Sequence, residues 1–355
     1  MSSWRECKLG DVAEILNNVR VPLSAMERAK KQGKFPYYGA SGIIDYVDDY
    51  LFDGEYVLIS EDGENLKSRK TPIAFKASGK FWVNNHAHIV QGKKPFLNDL
   101  IIYYFKNLDL NEYITGAVQP KLNKANLLEI PFYLPESEEE QKAIAEVLSS
   151  LDDKIALLHR QNHTLESLAQ TLFRQWFIEE AKEEWEEVTL SDVMELKYGK
   201  DHKHLNDGKI PIYGSGGIMR YRDTAIYENE SILIPRKGTL SNIFYVDEPF
   251  WTVDTIFWSK INSEKISGKL LFEFLKTLNF SNMNVGSAVP SLTTKVLNEI
   301  SFALPSLKEQ EEFKQYTDNA WDKVKQNKKQ IQTLENLRDA LLPKLLSGEV
   351  RVKFD

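Results

Sequence analysis

The sequence has a single cysteine, Cys7, among its 355 residues, so no disulfide framework can form within the chain. It lacks any apolar run close to the roughly 20 residues that a membrane-spanning helix needs. The opening residues, MSSWRECKLG, do not contain the apolar segment of a secretory signal. These absences predict a cytoplasmic protein, and the length is sufficient for two or three domains with cores of their own.

Catalytic signatures are missing as well. SGKL at 267–270 lacks the upstream glycine and the following hydroxyl residue of a phosphate-binding loop, and the Asp/Asn-Pro-Pro-aromatic motif of adenine methyltransferases does not occur. His159 and His163 share one helical face, but no carboxylate accompanies them as in a zinc protease. DVMELK at 192–197 contains a nuclease-like Glu-x-Lys, yet it aligns with DVAEIL at 11–16 and is predicted to be an amphipathic helix. The sequence therefore predicts neither an enzyme nor a metal site.

The chain is a tandem repeat. Matching segments occur in the same order: WRECKLGDVAEI (4–15) with WEEVTLSDVMEL (185–196), YGASG (38–42) with YGSGG (213–217), EYVLIS (55–60) with ESILIP (230–235), FW (81–82) with FW (250–251), TGAVQPKL (115–122) with VGSAVPSL (285–292), and LP (134–135) with LP (304–305). Two copies are too few for a solenoid, so we infer the duplication of one module.

The first part of each copy predicts a globular α/β or α+β domain. FDGEYVLIS (52–60) and KFWVNNHAHIV (80–90) contain β-branched and aromatic runs bounded by Gly, Asp and Asn, as strands do. LNDLIIYYFKNL (97–108) and SGKLLFEFLKTL (267–278) are typical of buried helices.

The last part of each copy predicts a long helix with a heptad seam. The first seam consists of Ile144, Leu148, Leu151, Ile155, Leu158, Asn162, Leu165, Ala169, Leu172 and Trp176; the second consists of Phe313, Thr317, Ala320, Val324, Asn327, Ile331, Leu334, Arg338, Leu341 and Leu345. A helix of about 40 residues is about 60 Å long, too long to bury itself in a small domain. We therefore expect two long antiparallel helices with a globular domain at each end.

Antiparallel pairing about the centre of the two seams places Asn162 opposite Asn327. We predict that this amide pair sets the helix register at some expense of stability. Exposure of both amides to solvent is the alternative.

Three segments carry a resemblance to a known family. LPESEEEQKAIAEVLSSLDDKIALL (134–158) and LENLRDALLPKLLSGEVRV (334–352) are similar to the two conserved regions of type I restriction–modification specificity subunits. TGAVQPKLNKANLLEIPFYLP (115–135) resembles the segment that joins a recognition domain to its helix in that family. The resemblance covers essentially the whole chain, and the order of its parts is more specific than any single motif.

The resemblance implies an α/β tandem repeat with pseudo-twofold symmetry. Its parts are a target recognition domain (1–135), a spacer helix (136–184), a second target recognition domain (185–305) and a second spacer helix (306–355). Each recognition domain is expected to read one half of a split DNA site, and the helices are expected to set the gap between the halves. The chain itself is expected to be non-catalytic and to hold no cofactor.

The resemblance also implies the partners. Two methyltransferase subunits are expected to dock on the helices and to bind S-adenosylmethionine, and a translocating nuclease subunit, with ATP and Mg²⁺, is expected to join them. The segment 136–184 has twelve acidic and five basic residues, which favours a protein-binding surface over a DNA-binding one.

Candidate DNA contacts follow from the polar residues of each predicted recognition domain. In the first domain they are Lys67, Ser68, Arg69, Lys70, Lys76, Lys80, Asn84, Asn85 and His86; in the second they are Arg236, Lys237, Thr239, Ser241, Asn242, Asp254 and Thr255. The two stretches differ more than their flanks do, as readers of different half-sites should. A solvated hairpin is the alternative for any one of these residues.

Aromatic and glycine positions allow two interpretations. YGASG and YGSGG predict a glycine-dependent turn, which either approaches DNA with Tyr38 and Tyr213 alongside or is purely structural. Trp82 and Trp251 are predicted to be core residues, and a role as stacking platforms is the alternative. Lys121 is a candidate phosphate contact, although Ser291 replaces it in the second copy.

Two other functions fit the residues without the resemblance. The first is a coiled-coil scaffold for other proteins, which would show no salt-sensitive binding to duplex DNA. The second is a DNA reader of a different modification or defence system.

Overall fold

The computed structural model describes residues 3–116, 118–283 and 291–353, and the chain forms two compact units. Unit 1 comprises Met1–Leu158 and Lys329–Asp355, and unit 2 is the intervening part of the chain, 159–328. Each unit therefore contains one globular domain and a segment of each of two long helices. Among the described residues, no helix is long and apolar enough to cross a membrane.

The domain of unit 1 combines a large sheet with short helices. Its strands are β1 (Trp4–Lys8), β2 (Ala13–Ile15), β3 (Gln32–Gly39), β4 (Gly42–Val47), β5 (Phe52–Ser60), β6 (Ala74–Val83), β7 (Ala87–Gly92) and β8 (Pro131–Pro135). Its helices are α1 (Leu9–Val12), α2 (Ala25–Lys30), α3 (Asn65–Ser68), α4 (Pro95–Asn107) and α5 (Lys124–Glu129), followed by the long α6 (Glu138–Arg174). Six strands form one sheet in the order β2-β7-β5-β6-β3-β4, and β1 pairs with β8.

The domain of unit 2 repeats this plan. Its strands are β9 (Glu186–Thr189), β10 (Met194–Tyr198), β11 (Asp207–Gly214), β12 (Gly217–Arg222), β13 (Ser231–Pro235), β14 (Phe244–Val246), β15 (Trp251–Thr252), β16 (Ile256–Ile261) and β17 (Ser301–Leu304). Its helices are α7 (Leu190–Val193), α8 (Gly268–Thr277) and α9 (Thr294–Asn298), followed by the long α10 (Leu307–Ser347). The strand orders are β10-β16-β13-β14, β12-β11-β15 and β17-β9.

Strand register confirms the repeat residue by residue. In unit 1, β3 runs parallel to β6 for two residues, with Tyr37 opposite Trp82. In unit 2, β11 runs parallel to β15 over the same length, with Ile212 opposite Trp251. Both tryptophans are buried, as predicted, and their indole N–H groups donate to the backbone carbonyls of Val21 and Lys200.

One local prediction is wrong. The segments DVAEIL and DVMELK are not amphipathic helices, since α1 ends at Val12 and α7 ends at Val193. The next residue of each segment begins a strand, β2 or β10, which pairs with β7 or β16. Pairing with a distant strand overrides the local helical pattern there, because strand stability depends on its neighbours in the sheet.

The helical parts of the two units are antiparallel within each unit, as the heptad pattern predicts. In unit 1, Ile155 and Leu158 of α6 pack against Ile331 of α10. In unit 2, Phe173 near the end of α6 packs against Phe313 near the start of α10. All the seam positions are buried or half-buried, which agrees with two helices that bury a common apolar stripe.

The beginning of each long helix is held by an equivalent ion pair. In unit 1, the guanidinium of Arg351 contacts the carboxylate of Glu140, which is 2% exposed. In unit 2, the ammonium of Lys182 contacts Glu309, which also accepts a hydrogen bond from the Trp185 indole at 2.9 Å. Acidic side chains in the first turn of a helix are favourable because they face the positive end of its dipole.

Candidate nucleic-acid interface

Four segments meet at one edge of the domain in unit 1. The first is the hairpin turn between β3 and β4, where the carbonyl of Tyr38 accepts from the backbone N–H of Asn84 at 3.0 Å. Asn84 belongs to the second segment, the turn between β6 and β7. The third begins at Glu61, directly after β5, where the backbone N–H donates to the carbonyl of His86 at 2.9 Å. The fourth includes Leu122, whose N–H donates to the carbonyl of Glu61 at 2.8 Å.

Glu61 is the centre of a charged cluster that joins these segments. Its carboxylate lies 2.6 Å from a guanidinium nitrogen of Arg20 and 3.3 Å from the ammonium of Lys121. Burial by itself would raise the pKa of the Glu61 carboxyl, but the hydrogen bond from Arg20 and the neighbouring positive charges outweigh it, so the pKa lies below its ordinary value. The predicted phosphate contact Lys121 is therefore paired with a protein carboxylate.

The buried side chain of His88 holds the Leu122 segment in place next to the Glu61 cluster. Its ring is 1% exposed, its Nε2 lies 2.7 Å from the carbonyl of Leu122, and its Nδ1 lies 2.8 Å from the side-chain amide nitrogen of Asn17. Because a carbonyl only accepts, Nε2 carries the proton and Nδ1 accepts from Asn17. Burial lowers the pKa of His88. The neutral imidazole joins the Leu122 segment to Asn17 through these two hydrogen bonds.

Exposed polar side chains project from the same edge. His86 is exposed, and its Nδ1 lies 2.9 Å from the carboxylate of the half-buried Asp62. Asn85 is exposed beside it. Lys67, Ser68 and Lys70 are exposed on and after α3, within the loop that starts at Glu61.

Other predicted residues of unit 1 have contacts within the protein. Arg69, the one described non-glycine residue with positive φ, donates to the carbonyls of Phe105, Lys106 and Leu108, where α4 ends. Asn84 is buried and accepts from the backbone N–H of His86 at 2.8 Å. Tyr38 is half-buried among aromatic rings, Lys76 pairs with Glu55 and Asp99, and the ammonium of Lys80 lies 4.4 Å from the centre of the Tyr50 ring.

Unit 2 brings the equivalent four segments together. The carbonyl of Tyr213 accepts from the backbone N–H of Val253 at 3.1 Å, as Tyr38 does from Asn84. The backbone N–H of Arg236 donates to Thr255 at 2.8 Å, and the carbonyl of Arg236 accepts from Leu292 at 2.9 Å. The two edges are thus constructed on the same hydrogen-bond scheme.

The side chains at the second edge differ in exposure. Lys237, Thr239, Ser241 and Asp254 are exposed, and Thr255 is half-buried. Arg236 is half-buried, donates to the carbonyl of Asp254 at 3.3 Å and lies 5.5 Å from the centre of the Tyr198 ring. The amide of Asn242 donates to the carbonyl of Ser215 at 2.9 Å, and Tyr213 is buried against Phe244; these two residues stabilise the edge from within.

The two edges carry opposite charge at one equivalent position. Glu61-Asp62-Gly63 follows β5, whereas Arg236-Lys237-Gly238 follows β13. The backbone is the same at both places, because Asp62 forms a bridge with Lys121 and Lys237 forms one with Ser291. Arg236 and Lys237 are among the residues predicted from the sequence, whereas Glu61, Asp62, Arg20 and His88 are not. A charged pair directly after a buried strand is the sequence signal that indicates Glu61 and Asp62.

Parts of the predicted fourth segments lie outside the described residues, namely Ala117 in TGAVQPKL and residues 285–290 of VGSAVPSL. Within the described ranges, no group of three or more His, Cys, Asp or Glu side chains is arranged to hold a metal ion. His159 and His163 are both exposed on α6.

Comparison with known proteins identifies the family. The model of the type I restriction modification DNA specificity domain matches residues 1–167 and again residues 182–336. The chain belongs to this family. The resemblance found in the sequence is thereby confirmed, and so is the function it implies, that of a DNA specificity subunit of a type I restriction–modification system.

Individual relatives agree with this assignment. A Haemophilus influenzae protein assigned as type I restriction enzyme specificity subunit S.HindORF215P is 29% identical over 85% of this chain and 83% of its own length. The MjaIX specificity subunit of Methanocaldococcus jannaschii is 25% identical over 99% of this chain and 94% of its own. The crystal structure of a type I S subunit from M. genitalium has the same fold, with a TM-score of 0.69 and 19% identity over 100% of this chain and 97% of that one.

Proposed function

We propose that the four-segment edge of each specificity domain reads one half of a bipartite DNA site. The observation that carries this proposal is that the two edges share one backbone scheme but present different side chains. A shared framework explains how both domains approach a duplex in the same way, and different side chains explain how each reads a different sequence. Residues 1–135 and 185–305 are then the two target recognition domains.

Exposed or half-buried donors and acceptors at each edge suit contacts with base edges and phosphates. In the first domain we assign these contacts to Asp62, Lys67, Lys70, Asn85 and His86. In the second domain we assign them to Arg236, Lys237, Thr239, Ser241 and Asp254. Lys121 would have to exchange Glu61 for a phosphate, and Arg69, Asn84, Tyr213 and Asn242 act as supports for the interface rather than as readers.

The charge reversal suggests what differs between the half-sites. A carboxylate accepts a hydrogen bond from the amino group of cytosine or adenine, whereas Arg and Lys donate to O6 and N7 of guanine. Asp62, with His86 beside it, therefore suits a base that presents an amino group in the major groove. Lys237 suits a guanine at the equivalent position of the other half-site.

The helical segments 136–184 and 306–355 serve as the spacer and as docking surfaces for two methyltransferase subunits. Exposed apolar side chains lie on the helices of both units: Leu157 and Leu337 in unit 1, and Leu168 and Tyr316 in unit 2. Such residues are typical of a surface that a partner covers. The chain itself is non-catalytic in this proposal, and S-adenosylmethionine, ATP and Mg²⁺ belong to the methyltransferase and restriction subunits.

Methylome sequencing of a host that expresses this chain with its methyltransferase subunit tests the proposal. The expected result is a split methyl-adenine motif that disappears when the chain is omitted. His86→Ala with Asn85→Ala should relax one half of the motif and leave the other half and the gap unchanged. An assembled complex that is supplied with S-adenosylmethionine and yields no chain-dependent motif would instead favour the scaffold function.

A further inference from the structure

The hairpin beside each reading edge exposes three large apolar side chains. In unit 1 they lie on β4: Ile43 is 47% exposed, Ile44 is 53% exposed and Tyr46 is 49% exposed. In unit 2 the equivalent residues of β12 are Ile218 at 49%, Met219 at 53% and Tyr221 at 46%. The near-identical exposures in two copies of different sequence indicate a common use.

A β-bulge explains why consecutive apolar residues face outward. Tyr38 is opposite Ile43 and Tyr37 is opposite Asp45, so Ile44 is the extra residue of β4. In unit 2 the register skips Met219 in the same way, because Tyr213 is opposite Ile218 and Ile212 is opposite Arg220. A bulge interrupts the alternation of a strand and redirects a side chain, and it does so at the same place in both copies.

The repeated glycines of YGASG and YGSGG support this arrangement. A Cβ on Gly39 would lie 3.1 Å from the Ile44 side chain, and one on Gly214 would lie 2.5 Å from the sulfur of Met219. The apolar side chain thus lies directly over the glycine. Gly42 and Gly217, which close the turns, have φ values of +127° and +111°, a region that disfavours other residues. The two similar pentapeptides therefore specify one structure, a tight turn with an apolar residue across it.

The occupant of this surface must be the same for both copies, since the three exposed apolar residues are retained where the reading segments have diverged. Base edges of two different half-sites do not meet that condition. The DNA backbone does, but the charge of the hairpin is not the same in the two copies: IIDYVDDY at 43–50 contains three aspartates and no basic residue, whereas IMRYRDTA at 218–225 contains Arg220 and Arg222. A hairpin that is acidic in one copy is unsuited to lie along phosphates in both. Aliphatic, methionine and tyrosine side chains on an edge strand are instead typical of protein interfaces.

We propose that β4 and β12 are equivalent docking strands for a protein subunit that binds this chain in two copies, one on each hairpin. This inference rests on the proposed function, under which that subunit is the methyltransferase. It adds a contact on each recognition domain to the docking surface on the helices. A methyltransferase subunit that is held by both surfaces stays close to the half-site that is read by the recognition domain on which it docks.

Titration of the full chain with the methyltransferase subunit of its own system, without DNA, tests the inference by sedimentation velocity. The variants are Ile44→Asp, Met219→Asp and the double variant, with the milder Ile44→Ser and Met219→Ser in parallel. Val21→Asp is the matched control, because Val21 is 45% exposed and lies outside the hairpin. Each single Asp variant should weaken one of two binding steps by about tenfold or more, and the double variant should weaken both.

The affinity of the partner-saturated complex for its DNA site then separates the alternatives. We expect that affinity to stay within about twofold of wild type. Variants that bind the partner normally overturn the inference, and variants that bind the partner normally but lose DNA affinity assign the hairpins to DNA instead. A wild-type chain that binds no methyltransferase subunit would overturn the proposed function as well, which distinguishes the two failures.

Discussion

Asn162 and Asn327 form a buried amide pair between the two helices of unit 2. The side-chain nitrogen of Asn327 donates to the side-chain oxygen of Asn162 at 2.8 Å and to that of Gln161 at 2.9 Å. The side-chain oxygen of Asn327 is buried and has no hydrogen-bond partner in the part of the chain that the structure describes. An unsatisfied buried oxygen costs about 1–3 kcal/mol, so the pair lowers the stability of unit 2.

We expect the Asn162→Leu/Asn327→Leu double variant to be more stable than wild type, because it removes the buried oxygen and extends the apolar seam. An increase of about 1–2 kcal/mol in the free energy of unfolding corresponds to several degrees in Tm. The single variant Asn327→Leu should be less stable than the double variant, since it leaves Asn162 without its partner. Calorimetry compares these variants with Asn319→Leu, a substitution of an exposed residue on the same helix. A double variant that melts at or below the wild-type temperature would refute this account of the pair.

Arg69 and Lys70 are adjacent and both exposed, but we expect different effects from their replacement. Arg69→Ala should reduce the stability of unit 1 by about 1–2 kcal/mol, because three carbonyls at the end of α4 lose a charged donor. Lys70→Ala should leave stability unchanged and reduce DNA affinity at low salt. Chemical denaturation and a salt titration of DNA binding measure the two effects. Equal stability of the two variants would contradict the helix-capping role of Arg69.

Neutralisation of the opposite charges of Asp62 and Lys237 should relax the two half-sites separately. Asp62→Asn removes a carboxylate from the first edge, and Lys237→Gln removes a cation from the second. Each is expected to relax one base position in its own half-site, at about 1–3 kcal/mol of discrimination, and to leave the other half-site unchanged. Methylome sequencing of each variant measures this, with Glu64→Gln as the control for an exposed acidic residue on the first edge. A uniform loss of methylation without a change of motif would assign both side chains to phosphate contacts.

Glu309 makes the stability of unit 2 depend on pH in the acid range. Burial alone would raise the pKa of this carboxyl, but hydrogen bonds from Lys182 and Ser306 outweigh it and lower the pKa to about 2. A carboxyl with a lowered pKa stabilises the folded state fully above its ordinary pKa of 4.5, and that stabilisation is lost as the pH falls toward 2.

The Glu309→Gln variant tests this dependence. It should be less stable than wild type by about 1–2 kcal/mol at pH 7, and the difference should shrink as the pH falls below 4.5. Denaturation midpoints of wild type, Glu309→Gln and the exposed control Glu312→Gln at pH 7, 4 and 3 measure it. A difference that is constant over this range, or that grows in acid, would be inconsistent with the ion pair.

The four-segment edges separate what the sequence predicts from what it does not. The loop parts of the stretches 61–90 and 235–255 lie at the two edges, and Asn85, His86 and Lys237 are exposed there. Arg69, Asn84 and Tyr213 have the residue types of DNA contacts but contact the protein instead. The direction of a loop side chain depends on the backbone of the loop and on partners distant in sequence, such as the end of α4 for Arg69.

The sequence by itself determined the duplication, the two long helices and the position of the asparagine pair, because repeats and heptads are periodic and helical geometry is regular. It also predicted the family, since the order of the segments is specific. Only the tertiary structure decided the bulge that exposes Ile44 and Met219, the strands that replace the helices predicted after Val12 and Val193, and the cluster around Glu61. Each of these depends on pairing between segments far apart in the chain, and local periodicity contains no record of such pairing.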